Sequence, residues 1–215
     1  MRKIPTLFVR DWKTHRVTEE VTPGCEWVLA CEGNATVKYD GVACLWQDDH
    51  LWTRYDAKAK IVTESDGTKT LVKLQRPPPV GFLPAGDPDP ISGHWPGWIP
   101  VGDGPEHKYH REALANINIL DSLVEGRTYE LFGPKVQGNP HGASWHFLIM
   151  HGLVAANDVE ATFDGIRERL GRHANVEGIV FWRKTGDLTG DLAKIKARDF
   201  GLPWPSKQYP PTGGG

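Results

Sequence analysis

The chain has 215 residues, enough for one large domain or two small ones. Hydrophobic residues make up 39% and charged residues 24%, the balance of an ordinary soluble globular protein. A formal net charge of −2 leaves no global basic field, so any nucleic-acid binding must come from a local patch. No segment approaches ~18 uninterrupted apolar residues, so no membrane span is expected. The opening MRKIPTLFVRDWK lacks the apolar run of a signal peptide. Cys25, Cys31 and Cys44 are odd in number and lack zinc-type spacing, which fits reduced thiols in a cytosol.

In chain order, Ile4 to Arg10 reads as a short strand that Val17 to Val21 can pair with. Pro23-Gly24 marks a turn. Glu26 to Glu32 reads as a buried strand broken by Gly33-Asn34, and Ala35 to Trp46 as the next strand. Gln47 to His50 is a hairpin loop that returns through Leu51 to Tyr55. Asp66-Gly67 marks a second hairpin between Ile61-Val62 and Thr70 to Leu74. Residues 75–104 hold eight prolines, many glycines and Trp95-Pro96-Gly97-Trp98, which reads as a long ordered loop, either a flap over a ligand or a surface Ω-loop.

Glu106 to Val124 reads as a helix, from the spacing of Ala113, Ile117, Leu120 and Val124, ended by Gly126. Strands follow at Thr128 to Phe132 and Trp145 to Met150. Asn157 or Asp158 is expected to cap a helix running to His173, with Phe163, Ile166 and Leu170 inward. Val176 to Arg183 is a strand, and Asp191 to Arg198 an extended segment with Lys194 and Lys196 on one face and Ile195 on the other. The expected architecture is an α+β domain built on antiparallel sheet with two main helices. Residues 1–205 are expected to form a single domain, and the glycine-ended 206–215 a disordered tail.

Strand alternation places Lys38 and Asp40 on one face and Tyr39 on the other, while Gly41 permits a close backbone approach. A lysine amine is a poor nucleophile at its ordinary pKa of about 10.4, but neighbouring cations and desolvation favour the neutral form. Further along lie the groups that nucleotidyl transfer needs. Carboxylates at Glu130 and Glu177 can hold a ribose hydroxyl and Mg²⁺. Lys194 and Lys196 can neutralise an α-phosphate, Phe132 can stack on a base, and Arg54 on the return strand can face the Lys38 side.

The ordered set Lys38-x-Asp40-Gly41, Tyr129-Glu130-Leu131-Phe132-Gly133-Pro134, Val176-Glu177-Gly178-Ile179-Val180 and Lys194-Ile195-Lys196 resembles the covalent nucleotidyltransferase superfamily of ATP-dependent ligases and mRNA capping enzymes. It looks most like the RNA ligase branch, and Lys3 to Asp11 resembles the opening of small phage and bacterial RNA ligases. The resemblance spans roughly residues 3–200. It implies the antiparallel-sheet nucleotidyltransferase fold, the ATP-grasp-like adenylation domain of DNA and RNA ligases. It implies ATP as AMP donor with Mg²⁺ or Mn²⁺, and RNA ends carrying a 5′-phosphate and a 3′-hydroxyl. Lys38 would form lysyl-AMP, AMP would pass to the RNA 5′-phosphate, and the 3′-hydroxyl would then displace it. By motif match Arg54 would contact sugar or strand phosphate, Glu130 the ribose, Phe132 the adenine, Glu177 the metal, and Lys194 and Lys196 the α-phosphate. Asp40 would line the nucleotide site beside the nucleophile.

Two departures stand out. DNA ligases and capping enzymes usually carry an arginine shortly after the glycine, where this chain has Val42-Ala43-Cys44. The chain also ends nineteen residues after Lys196, so a minimal enzyme without a C-terminal OB or other accessory domain is expected. Arg10, Lys135 or the Trp95–Trp98 loop are candidates for orienting pyrophosphate and RNA. His141, His146 and His151 recur every five residues, neither a helical-face nor a zinc spacing, and read as loop and strand residues with His141 nearest the nucleotide. The leading expectation is a monomeric cytoplasmic RNA repair ligase, of a bacterium or a phage-infected host. The alternatives are a GTP-dependent capping-type guanylyltransferase, a nucleotide- or RNA-binding module without catalysis, and an adenylyltransferase of protein or small-molecule ends.

Overall fold

The computed structural model describes residues 4–74, 77–89, 92–117, 123–173, 175–183 and 191–205. The expected tail at 206–215, Lys3, and the expected helical residue Leu120 lie outside the described residues. The architecture is mixed, with antiparallel sheets and few helices. No described helix is long and apolar enough to cross a membrane.

Three sheets carry the chain. The smallest pairs β1 (Phe8–Arg10) with β2 (Val17–Val21). A three-stranded sheet has β11 (Gly178–Arg183) at its centre, between β3 (Asn34–Lys38) and β12 (Asp191–Lys196). The third, seven-stranded, runs in the order β10 (Phe147–Met150), β9 (Thr128–Phe132), β4 (Val42–Gln47), β5 (His50–Thr63), β8 (His94–Pro100), β7 (Leu83–Pro84), with β6 (Lys69–Leu74) also on β5. A parallel bridge between Thr6 and Lys194 ties the N-terminal segment to β12.

Each larger sheet buries one face in its own core. Val37, Ile179, Phe181, Ala193 and Ile195 alternate inward and meet Leu7, Phe8, Ile166 and Leu170. On the seven-stranded sheet, Cys44, Leu51, Tyr129 and Leu131 pack under Ala113 of α2 (Lys108–Ala115). The opposite faces of the two sheets look into a common cleft.

Five local expectations are corrected. Glu26 to Glu32 is not a strand: Glu26–Leu29 forms one helical turn, α1, burying Trp27 and Val28. A short continuous apolar run does not distinguish the two by periodicity. Ala35 to Trp46 is not one strand either, because the chain leaves the small sheet at Lys38 and enters the large one at Val42. The segment 94–100 is strand β8, paired along β5 from Trp52↔Pro100 to Lys58↔His94, not irregular loop. Gly97 allows this, since a Cβ there would meet the Phe82 ring at 2.3 Å. Finally, the helix α3 (Phe163–Arg172) is capped by Thr162, whose hydroxyl accepts from the Gly165 N–H at 3.0 Å. Asp158 instead accepts from Arg169 and pairs with His173. The described part of the expected 106–124 helix is a 3₁₀ turn at Pro105–His107 and α2, ending at Asn116.

Candidate active site

The cleft between the two sheets has a volume of about 970 Å³. Its floor follows from register. Lys38 and Lys196 are both partners of Gly178, one on each side of the central strand β11. With no side chain at Gly178, the two lysines have nothing between them on that row. A Cβ at Gly178 would lie 2.2 Å from the Ile195 carbonyl oxygen, so the strand spacing itself requires glycine. One step along the same face come Lys194, Val180 and Thr36. Alternation therefore sends three lysines to one wall and Ile195 to the core.

Glu177, just before β11, is buried between them. Each of its carboxylate oxygens takes one ammonium group, Lys38 on one and Lys196 on the other. Lys38 Nζ also donates to the Tyr39 carbonyl at 3.2 Å. Burial pushes the Glu177 carboxyl up, but the attraction and hydrogen bonds of Lys38 and Lys196 outweigh it and hold its pKa below the ordinary value. Lys194, with no such carboxylate bond among the described residues, is pushed down to about 8 by burial first and then by its neighbours Lys196 and Lys38.

The second wall comes from the large sheet. Glu130 sits on β9 between Ala43 and Ile149, buried, with His151 donating to its Oε2 at 2.7 Å. Gly41 lies against this strand so closely that a Cβ would be 2.1 Å from the Leu131 carbonyl oxygen and 3.1 Å from Glu130 Cγ. Arg54 lines the cleft from β5, its guanidinium over the Trp98 ring at 5.3 Å. Burial, partly opposed by Asp56, lowers its pKa. Asp56 pairs with His94, and the segment 85–89 closes the outer end.

Of the residues singled out from sequence, Lys38, Arg54, Glu130, Lys194 and Lys196 line this one cleft, with Glu177 beneath the lysines. Asp40 and Phe132 do not line it. The strand ends at Lys38, so alternation does not carry on to Asp40, whose Oδ2 accepts from Trp204 Nε1 at 2.8 Å. Tyr39 lines the cleft instead. Phe132 is buried behind it, its ring parallel to Tyr39 within 6° at 5.2 Å between centroids. Arg10 is engaged with Asp199 at 2.6 Å. Glu130 and Glu177 do not form a ready Mg²⁺ pair, because both Glu177 oxygens are taken by lysines. No group of three or more acidic, histidine or cysteine side chains among the described residues could hold a metal ion.

The sequence reading put His141 near the nucleotide and His151 on a loop or strand without their bonds, and it passed over Trp204. His151 bonds Glu130, and His141 accepts the Asp40 N–H at 2.8 Å while its Nδ1–H donates to the Asn175 carbonyl at 3.0 Å. Trp204, behind them, packs on His141 at 5.4 Å between centroids. The five-residue spacing of His141, His146 and His151 carried no periodic signal, and Trp204 reaches Asp40 across 164 residues.

The sequence is similar to RNA ligase 1 of Mus musculus, 28% identical over an alignment covering 95% of this chain and 81% of the mouse protein. RNA ligase 1 of Rattus norvegicus and of Danio rerio match at the same identity, covering 95% of this chain and 82% of each relative. No protein-family model matches the chain. At this modest identity the similarity supports an RNA ligase family, and these three relatives are vertebrate proteins, not phage or bacterial ones.

Proposed function

We propose that the chain is an ATP-dependent RNA ligase that joins a 3′-hydroxyl to a 5′-phosphate through lysyl-AMP. The observation that carries this is the floor of the cleft, where Lys38 and Lys196 share the buried Glu177 and Lys194 stands beside them. Three lysines around one carboxylate leave a net positive wall that suits a triphosphate, and one amine can leave its carboxylate partner to react. In the first step the Lys38 amine attacks the α-phosphorus. Lys38 first gives its ammonium proton to solvent. The P–N bond then forms as the bond to the β-phosphate oxygen breaks, and pyrophosphate leaves. The second proton, shed by the new P–N nitrogen, also passes to solvent, while Glu177 keeps Lys196 in place. Lys194 and Lys196 hold the charge on the transferring phosphoryl group. AMP then passes to the RNA 5′-phosphate, and the 3′-hydroxyl displaces it. A hard cation such as Mg²⁺ or Mn²⁺ would be held mainly by the nucleotide phosphate oxygens, with the oxygen of Glu130 that His151 leaves free nearby, and would offset phosphate charge.

Tyr39, not Phe132, is the aromatic ring at the cleft surface, with Phe132 as its backing. Asp40 positions the Lys38 turn and does not touch nucleotide. The similarity to proteins named RNA ligase 1 favours RNA ends as acceptor over capping or a bare binding role. The test is labelling with α-phosphate-labelled ATP and, in parallel, GTP, in the presence of Mg²⁺. Label from ATP that survives denaturation and is absent in Lys38→Ala is expected. Label from GTP alone would mean capping chemistry, and no label would reduce the chain to a binding module.

A further inference from the structure

We infer that His151 is a positioning residue for Glu130, fixing that carboxylate as a rigid acceptor for a hydroxyl of the nucleotide sugar; this rests on the cleft being the ATP site. His151 follows the last residue of β10, and its backbone N–H donates to the Thr128 carbonyl at 3.0 Å. Gly152, at φ +81°, turns the chain away directly afterwards, leaving the imidazole on the cleft wall. Both ring nitrogens then meet alternate residues of one strand face: Nδ1 lies 2.9 Å from Thr128 Oγ1 and Nε2 lies 2.7 Å from Glu130 Oε2.

The carboxylate fixes the direction of one of the two bonds. An ionised carboxylate only accepts, so Nε2 carries the hydrogen and donates it to Glu130. In the neutral imidazole Nδ1 then accepts, and the Thr128 hydroxyl is the donor that suits it. Thr128, His151 and Glu130 thus form a directed chain ending on one carboxylate oxygen. The other Glu130 oxygen has no hydrogen-bond partner among the described side chains, and Glu130 lines the cleft. Gly41 closes one flank of the side chain, and His151 fixes its outer end. A glutamate held in this way does not spend rotamer freedom when a ligand hydroxyl arrives.

The chain of bonds separates two variants that remove the ring. In His151→Gln the amide nitrogen can stand where Nε2 stood and still donate to Glu130. In His151→Asn the shorter amide reaches only toward Thr128. Adenylylation is to be measured with ATP, 2′-deoxy-ATP and 3′-deoxy-ATP, with Glu130→Gln as reference and thermal unfolding as a check on folding. His151→Asn is expected to raise KM for ATP about tenfold to a hundredfold, the range for losing an orienting partner of a charged ligand group. It should also shrink the preference for ATP over one deoxy analogue to the level seen in Glu130→Gln, and His151→Gln should restore both. A folded His151→Asn with wild-type KM and preference, or a His151→Gln equally impaired, overturns the role. If the wild-type chain takes no label, the ligase reading fails. The same pattern is then expected in the dissociation constants of the three nucleotides, and its absence there overturns the positioning role.

Discussion

Trp204 donates its indole N–H to Asp40 Oδ2 at 2.8 Å, so the acid of the K-x-D-G turn is held by the C-terminal segment and not by Lys38. His141 holds the same residue from the other side through its backbone N–H at 2.8 Å. The turn that follows Lys38 is thereby tied to two segments far away in sequence. Trp204→Phe keeps most of the ring packing and deletes only the donor. It is expected to lower stability by about 1 kcal/mol and to slow ATP labelling of Lys38. Urea unfolding and a labelling time course check both; an unchanged labelling rate would mean that the turn keeps its shape without the bond.

Gly41 offers a harsher test of the same turn. Its backbone is ordinary, but an added methyl would lie 2.1 Å from the Leu131 carbonyl oxygen, on a strand that cannot move without disturbing Glu130. Gly41→Ala should therefore cost about 3 kcal/mol, the upper end of the usual overpacking penalty. A thermal unfolding midpoint within experimental error of wild type would show that β9 and the turn can separate.

The parts of this fold legible from sequence are those set by local periodicity. Ile195 between Lys194 and Lys196 announces a strand with one basic face, and the structure buries Ile195 while both lysines line the cleft. The hairpin expected around Gln47 to His50 is present, with a tighter turn than expected, since Gln47 and His50 already pair and only Asp48-Asp49 lie between the strands. What sequence left hidden depends on which strands become neighbours. Alternation put Asp40 beside Lys38, but a crossover between two sheets interrupts it, and the carboxylate that meets Lys38 comes from Glu177, 139 residues away. Phe132 shares the Glu130 face as read, yet Tyr39 covers it. No local pattern reports that a ring from another strand lies on top. The histidine that orients Glu130 follows a strand whose neighbour is fixed only by the folded register.

Glu177 holds two ammonium groups in a buried place, so its removal leaves them facing each other. Glu177→Gln is expected to abolish ATP labelling and to cost about 3 kcal/mol, as breaking a buried ion pair from one side does. The pH dependence follows from its lowered pKa. Its contribution is fully present above the ordinary value of 4.5 and is lost as pH falls through the lower folded value. The stability gap between wild type and Glu177→Gln should then be flat near neutral pH and should close in acid below about pH 4.5. A gap that stays constant down to about pH 3 would show that the charge is not what stabilises the floor.

Lys194 gives the opposite limb. Its pKa, pushed down to about 8, means that folding carries the cost of a desolvated charge at neutral pH. The folded chain sheds this proton before the unfolded chain does, so stability linked to Lys194 rises as pH passes from about 8 toward 10.5. Phosphate binding runs the other way, because it needs the ammonium. The affinity for ATP of the Lys38→Arg variant, which keeps the neighbouring charge but lacks the lysine amine, is expected to fall several-fold between about pH 7 and pH 9. Lys194→Arg, whose charge does not titrate in this range, should flatten that slope in the same background. Calorimetric titration at a series of pH values decides it. An equally steep slope in Lys194→Arg would move the titrating group elsewhere in the cleft.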